Sequence, residues 1–335
     1  MPESQTTDDD ESPPETDDLI NELQQKRSVT GWLGFLVAAV GISFSLFQVM
    51  LAAKSFYWDL PLPIVGEVRL VGLQLLQANA IHVSFALVLT FLLYPPSTGD
   101  GVVARWLGRL DAAIRARIGT DNPAARVQDG VRRLLHWLFY DPDQERLTPA
   151  DVVLSILALL SAMYFLADFK EIQNMRVFGL GSGNPYYEAF PFRLLFETVP
   201  FLESFAQGLP GAELSYAFLL GAVGVLLVLE ATRRTIGLPL MLIVATFILY
   251  ARWGHYIPQD AAYVGILSIP NLSWESIIQN LWFNTENGVF GIPVTVSVQF
   301  IYIFILFGAF LEMSGAGQWF IDLAYAATGR RKGGP

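Results

Sequence analysis

The feature that most limits what this chain can fold into is a set of six long apolar runs. Residues 31–53, 73–94 and 287–311 contain no charged side chain, and the shorter runs 152–167, 214–229 and 235–251 contain none either. Crossing a bilayer takes about 20 mostly apolar residues of helix, and a helix satisfies its own backbone polar groups where no water can. The runs therefore predict an all-α polytopic membrane protein of six transmembrane helices. The two shortest runs reach full length if their flanking charges sit at headgroup depth: Asp151, Asp168 and Lys170 for the third, and Glu230, Arg233 and Arg234 for the fourth. Charged residues make up 16% of the chain, against about 25% in soluble domains, so an ordinary water-exposed fold is excluded.

Charge then orients the spans. Nine of the 31 acidic residues lie before residue 23, where there is no Lys or Arg, so the net charge of −10 belongs almost wholly to the N-terminus. That segment is rich in Ser, Thr, Pro and Gln, too polar to offset its ordering entropy by burial. Residues 1–28 are expected to form a disordered acidic cytosolic tail, and without a basic stretch before an apolar core it is no signal peptide. With the N-terminus inside, 15 Lys and Arg fall on cytosolic segments and six on external ones. The positive-inside rule supports this orientation in the cytoplasmic membrane, with both termini inside.

The connections carry local signals. Thr148, Pro149 and Asp151 supply an N-cap, an N1 proline and an N3 acid for the third span. Between the second and third spans, residues 101–140 hold two basic amphipathic patterns. Val103, Leu107, Leu110, Ile114 and Ile118 mark the first, and Val127, Val131, Leu134 and Leu138 the second. Such helices lie in the membrane interface or dock a partner subunit. The external segment 170–212 is rich in Gly, Pro and aromatics, and reads as a re-entrant or a surface helix. Residues 274–284 predict a short amphipathic helix capped by Ser273. Beyond it, Gly288, Gly291 and Pro293 break or bend the chain before the sixth run.

Catalytic motifs are absent from the sequence. It has no cysteine, which removes thiolate metal sites and cysteine nucleophiles. His82, His136 and His255 lie far apart, and the GLGSGNP segment follows no strand and lacks a P-loop lysine, so it reads as a turn. Asp168, Glu230 and Glu312 are scattered and form no acid–base pair. The expectation is no enzyme, no cofactor and no nucleic-acid partner. Polar residues inside spans are the remaining candidates, because each is costly there. Gln74, Gln77, Asn79 and His82 cluster in the first half of the second span, as a functional stripe or as hydrogen bonds to a neighbouring helix. Glu312 reads as an interfacial carboxylate at the end of the sixth span.

The stretch NTENGVFGIPVTVSVQFIYIFILFGAFLEMSGAGQWFIDLAYAATGRRKGGP, with EATRRTIGLPLMLIVATFILYARWGHYIP before it, resembles the large membrane subunit of tripartite ATP-independent periplasmic (TRAP) transporters. More narrowly, it is similar to the fused permeases that work with TAXI-type receptors. The resemblance implies a secondary transporter that takes up organic acids or amino acids from an extracytoplasmic solute receptor, driven by an ion gradient, with sodium as the coupling ion of the complete transporter. It implies a small-subunit-like region over 29–212 and the start of a large-subunit-like permease domain over 213–335. It also implies that the chain is truncated, with the remainder of the permease as a partner alongside receptor and bilayer. The matching positions Gly291, Pro293, Phe307, Gly308, Glu312, Ser314, Gly315, Gly329, Gly333, Gly334 and Pro335 are assigned a scaffold or hinge role. The alternative is a membrane scaffold protein without transport activity of its own.

Overall fold

A computed structural model describes residues 26–53, 59–62, 66–69, 73–97, 109, 112, 123–141, 144–199, 201, 204, 207–208, 214–261 and 263–328. Among these, α1 is Gly31–Ala53, α2 Leu75–Leu93, α3 Pro123–Phe139, α4 Pro149–Ala167, α5 Phe169–Phe178, α6 Phe192–Thr198, α7 Tyr216–Thr235, α8 Leu238–Trp253 and α9 Trp274–Trp282. The next helix, α10, runs over Ile292–Met313, and α11 is Ala316–Thr328. Six of them (α1, α2, α4, α7, α8 and α10) are long and apolar enough to cross a membrane. They coincide with the six apolar runs, and the chain is an all-α polytopic membrane protein.

Differences from the sequence reading are local. An antiparallel hairpin of two four-residue strands, β1 Asp59–Leu62 and β2 Gly66–Arg69, lies between α1 and α2 and pairs Asp59 with Arg69. Helix α4 begins at Pro149, three residues before its apolar run, because the expected capping box is formed. The Thr148 amide and hydroxyl both donate to Asp151 Oδ2, at 3.0 and 2.8 Å. Ser273 likewise caps α9, its Oγ accepting from the Ser276 amide at 3.2 Å. The second amphipathic pattern lies on α3, while the first lies outside the described residues apart from Arg109 and Ala112. Residues 1–25 and 329–335 are also outside them, and with them most of the acidic tail and Gly329, Gly333, Gly334 and Pro335. Within 170–212 the described residues include two short helices, α5 and α6, which bury Ile172, Met175 and Phe196. Helix α11 had no counterpart in the sequence reading: Gly315, at φ +72°, turns the chain sharply and the helix restarts at once.

The chain forms two compact units, Met1–Val37 with Leu89–Ser155, and Ala38–Val88 with Ile156–Pro335. The first is organised by one side chain. Arg27 is 3% exposed; its Nε donates to Asp141 at 2.9 Å and its Nη2 to Asp151 at 2.6 Å. Its Nη1 donates to the Phe91 and Leu92 carbonyls, and its backbone amide to Leu93 O. One guanidinium thus closes the C-terminus of α2, whose last carbonyls have no helical partner, onto the first turn of α4.

The second unit holds the hydrophobic core: Tyr164 and Phe165 of α4, Leu220 and Val225 of α7, Ile278 and Trp282 of α9, and Phe290. Helices α7 and α9 approach closely because Gly221 and Gly224 leave room. A Cβ on Gly224 would stand 2.2 Å from the Trp282 ring. Phe290, just before α10, packs against Trp282 and Phe165 at ring-centroid distances of 4.7 and 5.6 Å. Gly288, at φ +71°, makes the turn that delivers it: a Cβ there would meet the Leu281 and Asn280 carbonyls.

Candidate functional site

Within the second unit the polar residues of α2 converge on three other helices. The α2 span is 72% buried within the protein, against 6% for α8 and α10, so α2 is the helix through which polar contacts can be shared. Gln77 Nε2 donates to the Phe165 carbonyl of α4 at 2.9 Å. Asn79 Nδ2 donates to the Phe290 carbonyl at 3.1 Å and to Thr295 Oγ1 of α10 at 2.8 Å. One turn on, His82 Nδ1 meets Gln48 Nε2 of α1 at 2.5 Å, and His82 Nε2 meets Ser297 Oγ of α10 at 3.3 Å. With the Gln48 amide donating, Nδ1 is the acceptor and the proton sits on Nε2, facing Ser297. Gln74 stands apart. It is exposed before the first turn of α2, where its backbone amide donates to Gln77 Oε1.

The polar row meets α10 where that helix is irregular. Between Ile292–Val296 and Tyr302–Met313, residues Ser297–Ile301 form a π-turn in which the Tyr302 amide donates to Ser297 O. In a regular α-helix residues five apart point about 140° away from each other, at 100° per residue. The wider i→i+5 turn narrows that angle and brings residue i+5 toward the face of residue i. Ser297 and Tyr302 can therefore face the same neighbours. Ser297 meets His82, while Tyr302 OH lies 3.1 Å from Ser45 Oγ and its ring 4.3 Å from that of Phe44, both on α1.

Magnitudes show that this row is not kept for stability. Hydrogen bonds between membrane helices contribute on average about 0.6 kcal/mol each. Gln48 Oε1 and Asn79 Oδ1, on side chains 1% and 0% exposed, have no hydrogen-bond partner among the described residues. An unmatched buried acceptor costs about 1–3 kcal/mol. The row thus does little more than offset its own desolvation. What it supplies is position, since it fixes the rotation of α10 against α1 and α2.

The positions singled out by motif fall mainly along α10 and its ends. Gly291 is the N-cap of α10 and Pro293 sits in its first turn, where a missing amide proton costs nothing. Phe307 and Gly308 lie on an exposed face, with open space around Gly308. Glu312 is exposed in the last turn. Ser314 Oγ donates to Leu311 O, and the Gly315 amide donates to Glu312 O, closing α10 before α11. Gly291, Pro293, Ser314 and Gly315 shape the ends of α10, and no described motif residue joins the polar row. The residues missed in sequence are Ser45, Gln48, Thr295, Ser297 and Tyr302. Gln48 carried a signal, as the one amide side chain in the first uncharged run. The Arg27–Asp141–Asp151 cluster carried none, because its members are 114 and 124 residues apart.

At the end of α4 and into α5, a second group of side chains holds the loop that follows α5. Glu171 Oε1 accepts from the Asn184 amide at 2.6 Å, and Asp168 Oδ2 from the Phe190 amide at 3.2 Å. Burial, together with the nearby Asp168 and Glu188 charges, raises the Glu171 carboxyl above its ordinary range, against the opposing pull of the Asn184 amide.

No curated protein and no solved structure matches the chain. A family model does match over residues 223–335, from the middle of α7 through α10 and α11: that of the tripartite ATP-independent periplasmic transporter, DctM component. Thr295, Ser297 and Tyr302 lie inside the matched segment, and their partners Ser45, Gln48, Asn79 and His82 outside it. Over its last third, then, the chain is similar to the DctM component of these transporters.

Proposed function

We propose that the chain is a membrane permease component of a TRAP-type secondary transporter. The carrying observation is the DctM match over residues 223–335, on a chain whose described residues include six helices able to cross a membrane. On this reading the partner is an extracytoplasmic solute receptor of the TAXI type, which delivers organic acids or amino acids to the permease. A sodium gradient drives their uptake. The protein sits in the cytoplasmic membrane with its N-terminus inside, an orientation that the distribution of Lys and Arg supports. The Gln48–His82–Ser297 and Asn79–Thr295 contacts hold α10, which carries the scaffold or hinge motif, in register with α1 and α2.

The test is capture of the receptor. Full-length chain, tagged and crosslinked in its native membranes, is expected to bring down an extracytoplasmic solute-binding protein, and more of it when solute is present. Recovery of partner membrane subunits with no such receptor contradicts the transporter reading and favours a scaffold.

A further inference from the structure

Several large apolar side chains on the C-terminal half of α3 are exposed. Leu134, Leu135, Trp137 and Phe139 are 54%, 49%, 55% and 46% exposed. At about 100° per residue, Val127, Val131, Leu134, Leu135 and Leu138 share one continuous arc of the helix. Trp137 flanks that arc on one side and Phe139 on the other. By the same helical period, the sequence assigns Arg126, Asp129, Arg132, Arg133 and His136 to the opposite positions, three arginines against one acid.

The position of α3 relative to a span follows from two anchors in the first unit. Arg146 Nη2 donates to the Tyr140 and Trp137 carbonyls at 2.9 and 3.3 Å, closing the C-terminus of α3 two residues before the cap of α4. Asp141, next along the chain, is bound by Arg27, which also binds Asp151 in the first turn of α4. The end of α3 is therefore pinned at the level where a membrane-crossing helix begins. An apolar arc at that depth meets acyl chains, aromatic residues at its edges suit the interface, and arginines reach from the edge to the headgroups.

We infer that α3 is a lipid-binding element that lies in the bilayer interface beside α4 and recognises anionic headgroups through its basic arc. Basic residues at an anionic surface are attracted over roughly a Debye length, and the apolar arc supplies the insertion that charge alone does not. The inference does not depend on the transport reading, since it rests on α3 and its anchors alone.

The chain has no cysteine, so single labelling sites can be introduced without removing others. Leu134→Cys, Leu135→Cys, Leu138→Cys, Arg133→Cys and His136→Cys, each in the full chain, are spin-labelled and placed in nanodiscs of phosphatidylcholine with or without phosphatidylglycerol. Labels at 134, 135 and 138 are expected to collide several-fold more with oxygen than with an aqueous nickel chelate, and those at 133 and 136 the reverse. The first three are expected to sit deeper when phosphatidylglycerol is present, and the combined change Arg126→Gln, Arg132→Gln and Arg133→Gln should abolish that difference. Equal nickel access at all five positions overturns the inference, as does shielding of the apolar arc from both reagents, which marks a protein contact. Identical depth in the two bilayers overturns the anionic preference.

Discussion

Arg27 shows how much one side chain can decide in a chain with so few charges. Its guanidinium is shared by two buried carboxylates and two carbonyls at the end of α2. Removing one partner of a buried ionic cluster costs about 3–5 kcal/mol, because the remaining charges stay buried and unmatched. Arg27→Met is therefore expected to lower stability by that amount in micelles, with little rescue by Lys, whose single ammonium cannot serve four acceptors in a fork. Thermal or denaturant unfolding measures this, and a loss under 1 kcal/mol would count against the cluster. The polar row of α2 behaves differently. His82→Ala leaves the Gln48 amide without its acceptor and is expected to cost about 1–2 kcal/mol. Adding Gln48→Leu to that variant should recover most of the loss, and a double-mutant cycle reads the coupling directly. Of these residues, the sequence marked Gln77, Asn79 and His82 by their cost in a span. It could not mark Arg27, which looks like any juxtamembrane arginine until partners more than 100 residues away are brought to it.

Elements follow the same division between local and distant causes. The spans were legible because uncharged length and the demand for internal backbone hydrogen bonding act locally, as did the Thr148–Asp151 box and the Ser273 cap. The π-turn in α10 was not legible. Nothing in SVQFI departs from an α-helical sequence, and the turn is justified only by neighbours that Ser297 and Tyr302 both face. Helix α11 escapes for the opposite reason: a glycine after a helix commonly ends it, whereas Gly315 only redirects the chain. Packing between elements gives a direct contrast. Gly224→Ala should push α7 off Trp282 and destabilise the protein by about 1–3 kcal/mol, whereas Gly308→Ala, with open space around it, should be neutral or slightly favourable. Comparing the two melting temperatures checks this.

The loop between α5 and α6 is expected to respond to pH. Glu171 has its carboxyl raised in the folded protein, so the folded state holds the proton more tightly than the unfolded one. Its contribution is present in full below the unfolded value and is lost as pH rises through the folded value. Amide exchange over residues 179–190 should therefore be slower, after correction for intrinsic rates, at mildly acidic than at neutral pH. Glu171→Gln, which keeps an oxygen for the Asn184 amide, should flatten that dependence. A pH dependence unchanged in the variant would show that another group governs the loop.

For the whole molecule, the DctM similarity of residues 223–335 attaches the transport proposal to a helical membrane protein whose described residues include six helices able to cross a membrane. The polar row links that segment to α1 and α2, which lie outside the match, so both parts of the chain take part in setting α10. The most direct test of the central claim is uptake of a panel of labelled organic acids and amino acids by source cells with and without the gene. Each is assayed with the sodium gradient intact and collapsed. The account predicts that at least one solute loses its uptake when the gene is removed, and loses it equally when the gradient is collapsed. Unchanged uptake of every solute in cells lacking the gene would contradict it.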